Sequence, residues 1–127
     1  MKMLLDTHVF LWFIDGDPRL KRSVVAQIRD PDNAVVLSVV SIWEIIVKHG
    51  LGKLPLPAPP EIYVPEQRER HRIGSLMLDE NSVKRLAWLP SLHRDPFDRM
   101  LICQAKAHDL TLVTVDPAIR AYPVNCL

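Results

Sequence analysis

Cysteine is scarce in this sequence: there are two, Cys103 and Cys126. They form no Cys-x-x-Cys pair and share no zinc spacing with a histidine, which argues against a structural zinc site. Cys103 falls in an apolar helical pattern and reads as a small core residue. His8, His49, His93 and His108 also lack metal-ligand spacing, so no histidine metal site is expected. No apolar run approaches the ~20 residues of a membrane span. Met1-Lys2-Met3 leads straight to Asp6, without the apolar core and cleavage site of a signal peptide. A cytoplasmic protein with no membrane partner is the expectation. There are no internal repeats and no low-complexity tract. Charge of one sign is lacking too: the net charge is +1, so any nucleic-acid contact must come from local arrangement.

What is present is an ordinary globular composition, 48% hydrophobic and 24% charged, in 127 residues. That length predicts a single domain over 1–127 with one substantial core. Met3-Leu4-Leu5 reads as a short buried strand ending at Asp6. Thr7 to Ile14 is an apolar helix closed by Gly16. Asp17-Pro18 predicts an N-cap and a helix to about Arg29, with Leu20, Val24 and Ile28 on one face. Ala34 to Leu37 is a second strand. Ser38 to His49 is a helix, apolar nearly all round, ended by Gly50 and Gly52. Prolines make Leu54 to Pro60 a stiff connection, followed by a charged helix over Pro65–Arg72. Gly74 to Leu78 is a third strand, and Asp79 caps a helix carrying Val83, Leu86 and Ala87. Asp95-Pro96 begins a long helix to about His108. Thr111 to Val115 is a fourth strand ending at Asp116, and Val124 to Leu127 a short edge strand. Strands alternating with helices predict an α/β fold, a parallel sheet with helices on both faces. In such folds ligands bind beyond the carboxyl ends of the strands, where Asp6 and Asp116 fall.

Two more acids stand out. Glu44 lies among Ile42, Trp43, Ile45 and Ile46, where solubility does not call for a charge, and shares a helix side with Ser41. Asp98 lies in the first turn of the long helix, where the backbone dipole favours an anion. Each acid alone has an ordinary reading. Asp6 and Asp116 suit helix caps, Asp95 with Asp98 makes a capping box, and Glu44 can pair with a lysine or arginine. The joint pattern carries the argument, because the fold brings these positions together. Two carboxylates ~5 Å apart at an effective dielectric of ~20 repel by about 3 kcal/mol. Summed over a cluster of four this is on the order of 10–20 kcal/mol, comparable with the ~5–15 kcal/mol stability of a domain. Such a cluster takes up protons or binds a cation, and all-oxygen ligands select Mg²⁺ or Mn²⁺. Phosphodiester hydrolysis is the chemistry that suits it.

The segments Leu4-Leu5-Asp6-Thr7-His8-Val9-Phe10-Leu11-Trp12, Ser41-Ile42-Trp43-Glu44-Ile45, His93-Arg94-Asp95-Pro96-Phe97-Asp98-Arg99 and Thr111-Leu112-Val113-Thr114-Val115-Asp116 resemble, in order, the signature segments of PIN-domain proteins. The resemblance is greatest to VapC-type toxins of toxin–antitoxin pairs and spans nearly the whole chain. It implies a three-layer α/β/α sandwich with a short central parallel sheet, Mg²⁺ or Mn²⁺ dependence and endoribonuclease activity. It also implies a homodimer and inhibition by a cognate VapB-like antitoxin. Asp6, Glu44, Asp98 and Asp116 fall on the family's acidic quartet, which serves as catalytic and metal-binding set. Thr7 and Thr114 fall on supporting hydroxyls, with Ser41 beside Glu44, and Asp95 on the extra acid of the Asp-Pro-Phe-Asp subgroup. The sequence stops soon after Tyr122-Pro123-Val124, so a shortened last strand is expected.

For RNA contact the candidates are Arg94 and Arg99, which flank the acids, and Arg68 and Arg70, with Arg72, Lys48 and Lys53. The alternating charges of Glu66 to Arg72 equally suit a solvated helix face. Trp12, Trp43 and Trp88 are expected in the core or in dimer contacts. An alternative function is a catalytically idle domain of this fold that binds RNA or protein; a complete acidic quartet argues against it. A receiver-like or phosphatase-like domain is disfavoured, because Asp6-Thr7-His8 contains no second acid and no lysine follows Thr114.

Overall fold

A computed structural model describes residues 1–127. Four strands, β1 (Lys2–Leu5), β2 (Ala34–Ser38), β3 (Gly74–Leu76) and β4 (Thr111–Val113), form one sheet in the order β3-β2-β1-β4. All the pairings are parallel: Met3 faces Val35 on one side and Thr111 on the other, and Val36 faces Gly74. A parallel ladder leaves the carboxyl ends of all the strands on one rim, so Asp6, Ser38 and Thr114 emerge together.

Alternation along the strands sends side chains to two cores. Met3, Leu5, Val35, Leu37 and Val113 face the first, with Val9, Phe10 and Phe13 of α1 (Thr7–Asp15), Ile28 of α2 (Arg22–Arg29) and Val64 of α4 (Pro60–Arg70). Leu4 and Leu112 face the second, with Met100, Leu101 and Ile102 of α6 (Pro96–Ala107) and Ile119 of α7 (Pro117–Arg120). The result is the expected sheet between two helical layers. Helix α3 (Val39–Gly50) crosses the carboxyl rim, packing on α4, α6 and α1. Helix α5 (Glu80–Lys84) continues into a 3-10 turn over Arg85–Ala87 and lies against α6.

Local chemistry sets the boundaries. Gly16 adopts φ 63° and its N–H closes on Phe13, ending α1 where a side-chain-bearing residue would be strained. Ser38 caps α3 by accepting from Val40 N–H, and Asp95 caps α6 by accepting from Phe97 and Asp98.

The elements depart from expectation in several places. Asp17 does not cap α2; its carboxylate binds the backbone and guanidinium of Arg19 in the preceding turn, and the helix starts at Arg22. Helix α4 starts at Pro60, five residues before the expected Pro65, because proline is well placed at a helix start. The edge strand over Val124–Leu127 reduces to a single parallel bridge of Cys126 to Leu112, with Leu127 N–H bonded to Leu112 O at 3.0 Å. Trp43 and Trp88 are not in the core: they are 56% and 73% exposed. Cys103 is fully buried, as its apolar pattern implies. No helix is long and apolar enough to cross a membrane.

Candidate active site

Asp6 occupies the N-cap position of α1, yet its side chain makes no capping bond. It turns instead into the rim, 3% exposed, and accepts from the Thr114 hydroxyl at 2.9 Å. The same Thr114 oxygen accepts from Asp116 N–H at 3.0 Å, so one hydroxyl fixes two of the acids. The other oxygen of Asp6, Oδ1, is buried with no partner. Burial pushes the Asp6 carboxyl up from its ordinary range, Glu44 adds to this, and Thr114 and His8 oppose it.

Glu44 is 1% exposed in the middle of α3. Its Oε1 lies 2.7 Å from the Thr7 hydroxyl, which in turn lies 2.9 Å from Ser41 Oγ. Thr7 has one hydroxyl proton, and the carboxylate is the stronger acceptor, leaving Ser41 to donate to Thr7. Glu44 Oε2 binds the ammonium of Lys48, one helical turn on. Lys48 also reaches Asp95 Oδ2 at 3.8 Å. Partial burial works against its charge, but the bond to Glu44 and the charges of Glu44, Asp95 and Asp98 outweigh this and hold the ammonium above its ordinary range.

Asp98 is the meeting point. One of its oxygens groups with Glu44 and Asp95, and one with His93 and Asp116, all ligand atoms within 4.8 Å in each group. Burial first, then the charges of Asp6, Asp95 and Glu44, push its carboxyl up to about 7. His93 Nε2 lies 3.0 Å from both Asp98 Oδ2 and Asp116 Oδ2. Asp116 Oδ1 caps α7 by accepting from Ala118 N–H.

The four expected acids therefore converge, together with Thr7, Ser41, Thr114 and Asp95. Their hydrogen bonds separate them chemically. Glu44 and Asp116 already accept on both oxygens, whereas Asp6 Oδ1 has open lone pairs in a buried position. An unpartnered buried carboxylate oxygen beside three further acids fits a hard cation, and the all-oxygen set fits Mg²⁺ or Mn²⁺.

The basic candidates fare differently. Arg68 donates to Ile73 O at 3.1 Å, immediately before β3, which puts the end of α4 on the opposite rim of the sheet. Arg70 is two residues further on and exposed there. Arg99 donates to Pro90 O at 3.0 Å and so holds the loop before α6. Arg94 is exposed next to the acids. Lys48, grouped with the RNA-path residues, faces Glu44 instead. Two site residues were missed by the sequence reading, Lys48 as a partner of Glu44 and His93. The i,i+4 spacing was a usable signal for Lys48; His93 had none, because its contact with Asp116 spans 23 residues. The larger concavities, about 590 Å³ between α1 and α2 and about 490 Å³ beside β4, are lined by none of the four acids.

A search against family models matches residues 3–125 to "PIN domain". Ribonuclease VapC16 of Mycobacterium tuberculosis is 33% identical over 116 residues, covering 87% of this chain and 77% of that protein. Among solved structures, VapBC2 from Rickettsia felis, bound to a DNA fragment from its promoter, aligns over 100% of this chain and 98% of that one, with a TM-score of 0.75 and 16% identity. VapBC-1 from nontypeable Haemophilus influenzae aligns over 100% and 97%, with a TM-score of 0.68 and 19% identity. The structural likenesses establish the shared fold, and the match over residues 3–125, with the 33% identical relative, places this chain in the PIN domain family.

Proposed function

We propose that this protein is a Mg²⁺- or Mn²⁺-dependent endoribonuclease, the toxin of a toxin–antitoxin pair acting in the cytoplasm. The observation that carries the reading is the convergence of Asp6, Glu44, Asp98 and Asp116 on one rim, with Asp6 Oδ1 buried and unpartnered. The relative named ribonuclease VapC16 supports RNA as substrate, and the VapBC structures support a VapB-like antitoxin as partner.

Asp6, through Oδ1, and Asp98 would hold the ion directly. When bound, a divalent ion polarises a phosphate oxygen and activates water for attack on the phosphodiester. Asp116, tied by Ala118 and His93, would complete the set directly or through water. Glu44 is oriented by Thr7 and Lys48 to receive a proton from the attacking water. Thr114 and Thr7 hold the carboxylates, and Asp95 shapes the site by capping α6. The acids sit on an open rim and line none of the larger concavities, an arrangement suited to a polymer backbone. Exposed apolar residues on α3 and α4, among them Trp43, Ile46 and Ile62, offer a face for the antitoxin or a second copy of the chain.

The test is cleavage of a structured RNA with and without Mn²⁺, comparing wild type with Asp6→Asn and Asp98→Asn. Metal-dependent cleavage lost in both variants supports the reading. Full activity in both, or no cleavage by the wild type, overturns it; the latter favours an idle binding domain.

A further inference from the structure

His93 has no role in the quartet, yet its ring is fixed on every side. Asp95 N–H donates to its Nδ1 at 3.1 Å. A backbone amide is always a donor, so Nδ1 is the acceptor and the ring proton lies on Nε2. That nitrogen bonds Asp116 Oδ2 at 3.0 Å, with Asp98 Oδ2 at the same distance. The backbone is tethered as well: His93 N–H and Leu92 N–H both donate to the hydroxyl of Tyr122, at 2.8 and 2.9 Å, and Tyr122 is 3% exposed.

We propose that His93 is a positioning residue of the acidic site: its Nε2–H donates to Asp116 and, with Asp98 Oδ2 also 3.0 Å from this nitrogen, keeps the two carboxylates side by side for the divalent ion. This rests on the metal-dependent reading above. The grouping of His93 with Asp98 and Asp116 invites the opposite assignment, His93 as a metal ligand. A ligating Nε2 needs a free lone pair and moves the proton to Nδ1, where it meets the Asp95 N–H. The geometry favours the donor. A donor on carboxylates that surround a cation sets their spacing and removes part of the repulsion between them before the ion arrives. Loss of such an outer contact typically weakens metal affinity ~10–100-fold.

The experiment has two readouts besides activity. Long-range ¹H–¹⁵N correlation on metal-free protein, assigned by comparison with His93→Gln, reports which ring nitrogen carries the proton. Mn²⁺ titration followed by electron paramagnetic resonance reports affinity and, through nitrogen modulation, direct imidazole ligation. The expected result is an Nε2-protonated ring, no nitrogen modulation from His93, and Mn²⁺ binding ~10–100-fold weaker in His93→Ala. In His93→Gln, whose amide N–H reaches the same position, affinity should return to within a few-fold of wild type. If the alanine variant does not fold, the glutamine variant alone decides, and strong loss in it overturns the proposal. An Nδ1-protonated ring, nitrogen modulation that vanishes in His93→Gln, or unchanged affinity in His93→Ala also overturns it. Failure of the wild type to bind Mn²⁺ defeats the metal reading instead, and the ring tautomer then still decides the donor.

Discussion

The hydroxyl of Thr114 donates to Asp6 Oδ2 at 2.9 Å across 108 residues of sequence, and it leaves Asp6 Oδ1 buried without a partner. That asymmetry makes a double prediction for Asp6→Asn. Removing the open oxygen should weaken Mn²⁺ binding by roughly 100-fold or more, since even outer-shell losses reach that scale. Removing a buried charge that the Thr114 hydroxyl and His8 offset only in part should at the same time raise the melting temperature of the metal-free protein at pH 8. Thr114→Val should instead lower both, because it strips Asp6 of its donor and Asp116 N–H of its acceptor. Calorimetric melting and Mn²⁺ titration of the two variants check this. Equal effects of both variants on metal-free stability would contradict it.

The raised carboxyls set the pH dependence. The folded Asp98 titrates at about 7, against 3.8 when unfolded, and Asp6 is displaced in the same direction. Between those values the folded chain holds a proton that the unfolded chain has released. The stabilising contribution of Asp98 is therefore complete below 3.8 and is lost as pH rises through about 7, and Asp6 contributes with the same sign. At ~1.4 kcal/mol per unit, Asp98 alone accounts for on the order of 4 kcal/mol. Metal-free protein should melt lower at pH 8 than at pH 5, and saturating Mn²⁺ should reverse most of the difference. A metal-free melting temperature that climbs over this range would contradict the assignment.

Lys48 is the protein's own counter-charge in the site. Its partner Glu44 is 2% exposed at the side chain, while Lys48 is 31% exposed. Lys48→Met leaves Glu44 with only the Thr7 hydroxyl. Breaking a fully buried pair costs ~3–5 kcal/mol, and the partial exposure of Lys48 reduces this to about 2–3 kcal/mol. The double variant Glu44→Gln with Lys48→Met should recover part of the loss, a coupling that urea denaturation of the cycle measures. Strict additivity would show that the two groups do not interact.

How much of this was legible depended on separation along the chain. The apolar runs Met3–Leu5 and Leu112–Val113 announced strands, and acids at their ends announced the rim, because strand pattern and carboxyl-end geometry are local rules. The capping of α6 by Asp95 was legible for the same reason. Asp6 was ambiguous: its position is an N-cap, and only the donor from Thr114, far along the chain, takes its side chain elsewhere. Asp17 misled because Arg19, two residues on, offered its carboxylate a closer partner than the helix did. His93 was invisible, since what fixes it comes from Asp95, Asp116 and Tyr122 at once. For Arg68 and Arg99, sequence does not reveal that each spends a guanidinium N–H on a backbone carbonyl, of Ile73 and Pro90 respectively.

Gln104 predicts a stability effect without a chemical one. It is fully buried in α6, accepts from the Ser38 hydroxyl at 2.5 Å and donates to Met77 O at 3.3 Å. Ser38 in turn caps α3, the helix that carries Ser41 and Glu44. One amide thus clips α6 to the ends of β2 and β3. Gln104→Leu leaves the buried Ser38 Oγ–H without its acceptor, a loss of about 1–3 kcal/mol, and removes the donor to Met77 O. Ser38→Ala removes the cap as well as the clip, so it should cost at least ~1 kcal/mol by the cap alone. The two share one bond, and their combination should cost less than the sum. Mn²⁺ affinity at saturating folded fraction should change little in Gln104→Leu, because no acid of the site touches the amide. A large loss of affinity in that variant, with folding intact, would mean that the spacing of Glu44 and Asp98 is set by the α3–α6 clip rather than by Thr7, Lys48 and His93.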